Sequence, residues 1–376
     1  LPPALRARAL RGAGVLAWAQ RENQEAAALM EQSLALFREL GDAEGTATIL
    51  RNLGTILGSQ GAYEQARAVQ EESLTLHREL GDTRGISSSL GNLGETSYFL
   101  GDYSAAMRYW EENLPLEREL QDLHRLAITL NNLGIVGREL GELDRAQDWS
   151  EEAVGLFREL DARSTLAQAL QSLADLRLKR QEYAQATVLL HESMMLAREL
   201  GDPQTVAFCL ESFATLAAAQ GWPERASRIF GAAEGLRATA GAALSPAERS
   251  SLQPSLDAAR SALAEEAWCT AWAEGQAMTL ERAIEYALSA LEPSPVLPAV
   301  SPDASGGEQA AGLTRREREI AGLIAQGLTN RQIAHRLVLS GRTVDAHAVN
   351  IMRKLGLRTR AQVAAWAAQQ GLLTER

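Results

Sequence analysis

The chain of 376 residues is 46% hydrophobic and 23% charged, a soluble composition with length enough for two or three domains. No run reaches the roughly 18 apolar residues of a membrane helix, and Cys209 and Cys269 sit in neither metal nor redox spacing. A spanning segment and a disulfide framework are thereby excluded, a reducing cytoplasm is expected, and Leu1-Pro2-Pro3, with neither initiator Met nor signal core, reads as the start of a fragment.

Net charge is −11, unevenly spread: residues 313–376 hold 11 basic and 4 acidic side chains, leaving 26 against 44 elsewhere. An acidic body with a basic end points to anionic partners for that end alone. The two lysines, Lys179 and Lys354, lie outside any Gly-x-x-x-x-Gly-Lys, so no P-loop is present. The five histidines are scattered, and no Ser/His/Asp or metal-ligand cluster appears. The sequence therefore predicts no enzyme, no catalytic residue and no metal site.

In chain order, the first feature is a repeat. Arg-Glu-Leu recurs at 38–40, 78–80, 118–120, 158–160 and 198–200. Asn52-Leu53-Gly54, Asn92-Leu93-Gly94 and Asn132-Leu133-Gly134 share the period, with weaker copies at Ser172 and Ser212. Gly61, Gly101, Gly141 and Gly221 mark a turn before Ala66, Ala106, Ala146 and Ala226, and Gly14 and Ala26 extend the register to six units. Each unit predicts two amphipathic helices, with Leu50, Leu53 and Leu57 on one face of the first. Gly61 breaks the pair, while Gly41, Gly81 and Gly201 end the second helix as left-handed caps. This pattern resembles the tetratricopeptide repeat over residues 5–240, in a longer unit than the usual ~34 residues.

Such stacks leave a concave face lined by the first helix of each unit. Asn52, Asn92 and Asn132 recur there with Asn131 beside them, and each carboxamide offers a donor and an acceptor to an extended peptide. The resemblance implies an Asn ladder that grips a ligand; the alternative is that each Asn bonds the neighbouring repeat. Residues 241–291 predict a helical cap, with Ser245-Pro246 and Glu248 opening a helix and Trp268, Trp272, Leu280, Ile284 and Leu288 covering the end of the stack. Residues 292–312 carry four prolines among Ser, Ala and Gly, the composition of a flexible linker.

Residues 313–376 predict four short helices. Thr314 to Glu317 is a capping box, followed by Ile320, Leu323 and Ile324 on an apolar face. Thr329 to Gln332 is a second, with Ile333, Ala334 and Leu337 inward. Ser340 caps a third helix over 343–354 with Val344, Ile351 and Leu355 inward, and residues 361–370 form a fourth. The second and third make a helix-turn-helix.

The segments 313–320, 327–334, 340–347 and 354–356 resemble the LuxR-type DNA-binding domain throughout. Many such domains follow tetratricopeptide-like segments in large ATP-binding regulators of the MalT kind, so the resemblance allows an ATP module upstream of residue 1 and no cofactor in this chain. It implies a third helix in the major groove of double-stranded DNA. By position Thr329, Asn330, Arg342, Thr343, Arg353 and Lys354 belong to the DNA surface, the last four on phosphates. Asp345, Ala346, His347, Val349 and Asn350 face bases or groove wall, although Lys is common where Asp345 and Val349 stand. His347 either reads a base or packs, and Asp345 either accepts from a cytosine amino group or caps its own helix. Val363 and Trp366 on the fourth helix are the implied homodimer contact.

The sequence thus predicts an all-α chain: a solenoid over 1–240, a cap over 241–291, a linker over 292–312 and a DNA-binding domain over 313–376. It reads as a transcriptional regulator whose solenoid senses a protein, peptide or small-molecule effector, with no membrane partner. The alternative is an interaction scaffold whose tail has little DNA affinity.

Overall fold

In the computed structural model the chain falls into two compact units, residues 1–295 and 296–376. The structure describes residues 2–240, 244–289 and 315–325, with 328, 329, 332, 333, 336, 351, 362, 363, 366 and 367. Every regular element among the described residues is helical.

Twelve helices make the repeat. They are α1 (Pro3–Ala19), α2 (Asn23–Glu39), α3 (Ala43–Ser59), α4 (Tyr63–Leu80), α5 (Thr83–Phe99), α6 (Tyr103–Leu120), α7 (Leu123–Leu140), α8 (Leu143–Glu159), α9 (Arg163–Lys179), α10 (Tyr183–Leu200), α11 (Pro203–Ala219) and α12 (Pro223–Ala240). Each is 17 or 18 residues long. The stack is a tetratricopeptide-like solenoid.

The boundaries follow from backbone chemistry at a 20-residue spacing. Residues 21, 41, 61 and so on to 221 all have φ between 50° and 82°, seven of them Gly. In this conformation the turn returns an amide to the helix just ended, as Asp42 N does to Phe37 O at 3.0 Å. An Asp follows at four of the turns into an odd-numbered helix and caps it, as Asp42 accepts from Gly45 N and Asp82 from Gly85 N.

Packing then repeats at 40. Leu50, Leu90, Leu130, Leu170 and Leu210 are wholly buried, each worth about 1.5–3 kcal/mol by transfer. Ser33, Ser73 and Ser193 tie the two helices of a unit by donating to the carbonyls of Ala7, Ala47 and Ala167. Small residues set the helix approach: a Cβ at Gly54, Gly94 or Gly134 would meet Gln70, Trp110 or Ser150 of the paired helix. Successive odd-numbered helices touch, as α3 does α5 and α7 does α9, which places them on the inner side of the curve.

Three helices close the far end: α13 (Pro246–Ser261), α14 (Glu265–Gln276) and α15 (Leu280–Ser289). Ser245 and Glu248 form a reciprocal capping box with Pro246 in the first turn. Trp268 and Ile284 are buried against α11 and α12, and Trp272 and Leu288 are packed beside them, whereas Leu280 is exposed. The α12–α14 crossing rests on Gly231, Gly235 and Gly275, where any side chain would strike the opposite backbone.

In the second unit α16 (Arg315–Ala325) buries Ile320, Ala321, Leu323 and Ile324 with Ile333, Ile351, Val363 and Ala367. All four segments predicted to be helices contribute to this one core. The linker region 292–312 lies outside the described residues.

Candidate partner groove and DNA-reading domain

The inner face of the solenoid is built from odd-numbered helices, and a side chain on one meets the residue 37 further along on the next. Asn92 Nδ2 donates to Thr55 Oγ1 at 3.1 Å, and Ser212 Oγ donates to Asp175 Oδ1 at 2.6 Å. Asn92 therefore does bond the neighbouring repeat. Asn52 and Asn132, both half-buried, make no side-chain hydrogen bond among the described residues, and Asn131 Oδ1 is shut from water without a partner. The structure brings the four asparagines onto one face in three successive units and leaves most of their capacity free.

The two halves of this face differ. Toward α9 and α11 it is a closed ionic network. Arg138 bridges Glu139 at 2.9 Å and Asp175 at 3.1 Å, and Asp175 also accepts from Gln171 and Ser212. Burial raises the Asp175 pKa, with Arg138 and these hydrogen bonds opposing. Burial acts to lower the pKa of Arg138, but Asp175 and Glu139 outweigh it, so the guanidinium stays charged. Deeper still, Glu211 and Arg237 are joined by two hydrogen bonds of 2.6 and 2.9 Å.

Helix α13 leans onto this same half. It touches α5 and α11, and Ser251 Oγ donates to Glu139 Oε1 at 3.1 Å across 112 residues of sequence. Burial raises the Tyr98 pKa, and the Glu248 carboxylate of α13 adds to it. Toward α3 the face is open. Glu95 on α5 keeps contact with water, yet the surrounding protein desolvates it and raises its pKa.

The outer face carries a feature the sequence showed without explaining. The Arg of each Arg-Glu-Leu reaches a Glu on the next even-numbered helix: Arg38–Glu72 at 2.6 Å, Arg78–Glu112 at 2.5 Å, Arg118–Glu152 at 3.4 Å and Arg158–Glu192 at 2.8 Å. The fifth, Arg198, finds Ala232 instead of a Glu at the matching position of α12 and pairs with Glu281 of α15 at 2.7 Å. The signal was the companion 40-residue period at Glu72, Glu112, Glu152 and Glu192. Of the cysteines, Cys209 is buried with its thiol pKa pushed up to about 12, chiefly by desolvation, and Cys269 is exposed; both are free.

In the second unit, Thr329 and Gln332 form the expected capping box, with Thr329 N donating to Gln332 Oε1 at 2.8 Å and Gln332 N reaching Thr329 Oγ1 at 3.4 Å. Asn330, Arg342, Thr343, Asp345, Ala346, His347, Val349, Asn350, Arg353 and Lys354 lie outside the described residues. Val363 is only 1% exposed and serves the unit's own core, while Trp366 is half-buried beside it.

These features define a tetratricopeptide-type solenoid carried in one chain with a helix-turn-helix domain. Residues 311–367 match the family of bacterial regulatory proteins, luxR family; 5–79 and 85–159 match the tetratricopeptide repeat, and 158–220 match anaphase-promoting complex subunit 5. The chain carries tetratricopeptide repeats and, over residues 311–367, a LuxR-type helix-turn-helix domain. The HTH-type transcriptional regulator Mb0914c of Mycobacterium bovis is 33% identical over 162 residues, 42% of this chain and 17% of that protein. The oxygen regulatory protein NreC of Staphylococcus aureus is 44% identical over 61 residues, 16% of this chain and 28% of its own length. The chain thus spans less than a third of the length of these two relatives.

Two solved structures share the solenoid fold. The apo form of RapI covers 68% of this chain and 97% of its own, with TM-score 0.52 and 16% identity. A signal transduction ATPase with a tetratricopeptide repeat sensor from Pyrococcus horikoshii covers 68% and 38%, with TM-score 0.52 and 13% identity.

Proposed function

We propose that this chain is the sensor and output end of a DNA-binding transcriptional regulator. The match of residues 311–367 to the luxR family carries the reading, supported by the concentration of basic residues there. Arg342, Thr343, Arg353 and Lys354 hold phosphates, with Thr329 and Asn330 at the edge of the surface; Asp345, Ala346, His347, Val349 and Asn350 meet bases or groove wall. With Val363 committed to the core, a homodimer contact on the fourth helix falls to the exposed side of Trp366. The solenoid supplies the regulatory input, its inner face receiving a peptide or protein effector along Asn52, Asn92, Asn131 and Asn132. No step of this scheme needs catalysis, and the setting is the cytoplasm.

Gel shifts with the 376-residue chain on random duplex DNA test it. Binding at low salt is expected to weaken steeply as salt rises, as counterion release requires. Lys354→Ala should weaken binding to all sequences alike and reduce the log–log salt slope by about one unit. A duplex that never shifts at low salt would refute the DNA-binding reading in favour of a scaffold, and a loss confined to one base position would refute the phosphate contact.

A further inference from the structure

Helix α13 stands where the 40-residue period calls for another inner helix. The odd-numbered helices begin at residues 3, 43, 83, 123, 163 and 203, and α13 begins at 246. It nevertheless leaves the stack. Helix α14 packs along α12 in its stead, at Gly231, Gly235 and Gly275. Helix α13 keeps contact with α11 and α12 but runs over the inner face to reach α5.

Its hold there is slight. Ala247 and Ala259 are its buried residues, and Leu252 and Leu256 are half-buried. The Ser251–Glu139 hydrogen bond ties it to α7. Pro254 in its interior leaves the Ser250 carbonyl without a helical amide.

The part of the stack that α13 crosses is the least well bonded. Along the inner face α3 touches α5, α7 touches α9 and α9 touches α11, but α5 and α7 make much less contact. Helices α1 and α3, at the end of the stack, are the other loose pair. On α5 and α6, buried Ser87, Ser97, Asn113 and Glu117 each keep a polar atom with no partner among the described residues. Beyond these, such atoms belong to His77 of α4, Asn131 and Arg225. Every other unit has a buried alanine in the place of Ser87, namely Ala7, Ala47, Ala127, Ala167 and Ala207. Helix α6 also carries Pro115 in its interior. Unpaired buried polar groups weaken the packing around them and regain hydrogen bonds once water reaches them. The stack therefore opens most easily between α5–α6 and α7.

We infer that α13 is a strap across a hinge. Seated, it holds α5 to α7 and α11 and fixes the curvature of the stack. Released, it lets α1–α6 swing from α7–α12 about the α6–α7 seam and uncovers the inner face between them. Helices α12 and α14, packed on each other, keep both its ends tethered. The device does not depend on what occupies the groove.

The test uses the full 376-residue chain with Cys269→Ser and nitroxide labels at Gln32→Cys and Val188→Cys, both exposed sites on even-numbered helices. Cys209 is buried and stays unlabelled. Double electron–electron resonance should give this parent one main distance. Ala247→Glu/Ser251→Glu sets new carboxylates near Glu139 and should raise the ratio of longer distances to the main one by about tenfold or more. Adding Ser87→Ala/Ser97→Ala, which removes two unpaired hydroxyls, should lower that ratio about tenfold. Ser251→Arg, which can pair with Glu139, should slow hydrogen exchange in α13, and it decides the matter if the glutamate variant does not fold.

Distances unchanged by Ala247→Glu/Ser251→Glu overturn the strap, as do α13 amides that exchange as slowly in the parent as those of α12. Exchange in α13 that Ser251→Arg leaves unaltered counts against it equally. An opening that Ser87→Ala/Ser97→Ala does not diminish overturns the hinge.

Discussion

At the scale of single residues, the backbone conformation required every 20 positions is the clearest link from sequence to fold. Gly41, Gly81 and Gly201 announce it, because left-handed φ costs glycine nothing. Arg21, Gln121, Asp161 and Gln181 meet the same requirement and were not legible, since nothing in those side chains asks for positive φ. Gln121→Gly, at φ 55°, is therefore expected to stabilise the chain by about 1 kcal/mol, offset in part by greater freedom of the unfolded chain. A urea melt measures it, and a destabilised variant would count against the turn assignment. Gly275→Ala should go the other way. Alanine normally gains about 1 kcal/mol over glycine inside a helix, but here its Cβ would strike the Arg228 carbonyl. A net loss of about 1–3 kcal/mol is expected from overpacking, again read by denaturation.

At the scale of elements, the units are alike in outline and unlike in their cores. The register that holds Phe37 and Phe157 holds His77 and Glu117 in between, all four buried. Helix α5 adds buried Ser87, Ser89, Thr96 and Ser97, so the apolar cluster beside it shrinks to Leu74, Leu90 and Leu93. His77 Nδ1 lies 2.9 Å from Asp82 Oδ2 but off the line of a hydrogen bond, and burial lowers its pKa. Glu117 accepts from Asn113 and Thr129, yet desolvation still raises its pKa above the ordinary 4.5. The folded state thus holds that proton longer than the unfolded chain does. Stability from this residue is present below about 4.5, is lost as pH climbs through the raised folded value, and is not regained above it. Glu117→Gln should flatten that segment of the stability–pH curve and leave the variant the more stable at neutral pH. Parallel curves for the two proteins would contradict the assignment. None of this was legible beforehand: periodicity marks the position as inward-facing, but not whether a neighbour satisfies the group placed there.

At the scale of the whole molecule, repetition made the solenoid readable, because one pattern seen five or six times outweighs any single helix propensity. The helix-turn-helix was readable for the complementary reason, a run of specific caps and apolar spacings. Harder to see was the use of the inner face. The asparagines were visible as a period, but the division into a closed ionic half under α13 and an open half at Arg51 depends on contacts between residues as distant as 139 and 251. The arginine–glutamate rungs on the outer face are individually weak, about 0–1 kcal/mol each when exposed, so they set alignment more than stability. Their spacing has a further use. Four of the five Arg of the series meet a Glu 34 residues on, which makes the junctions between those units interchangeable parts. Excising residues 84–123, one whole period, would hand Arg78 the carboxylate of Glu152 in place of Glu112 and reseat every later contact. Such a shortened chain should fold with a cooperative melt and a far-ultraviolet signal reduced by one unit, whereas removing 34 residues from the same point should leave it unable to close its seams. Length, for this protein, is a variable that comes in forties.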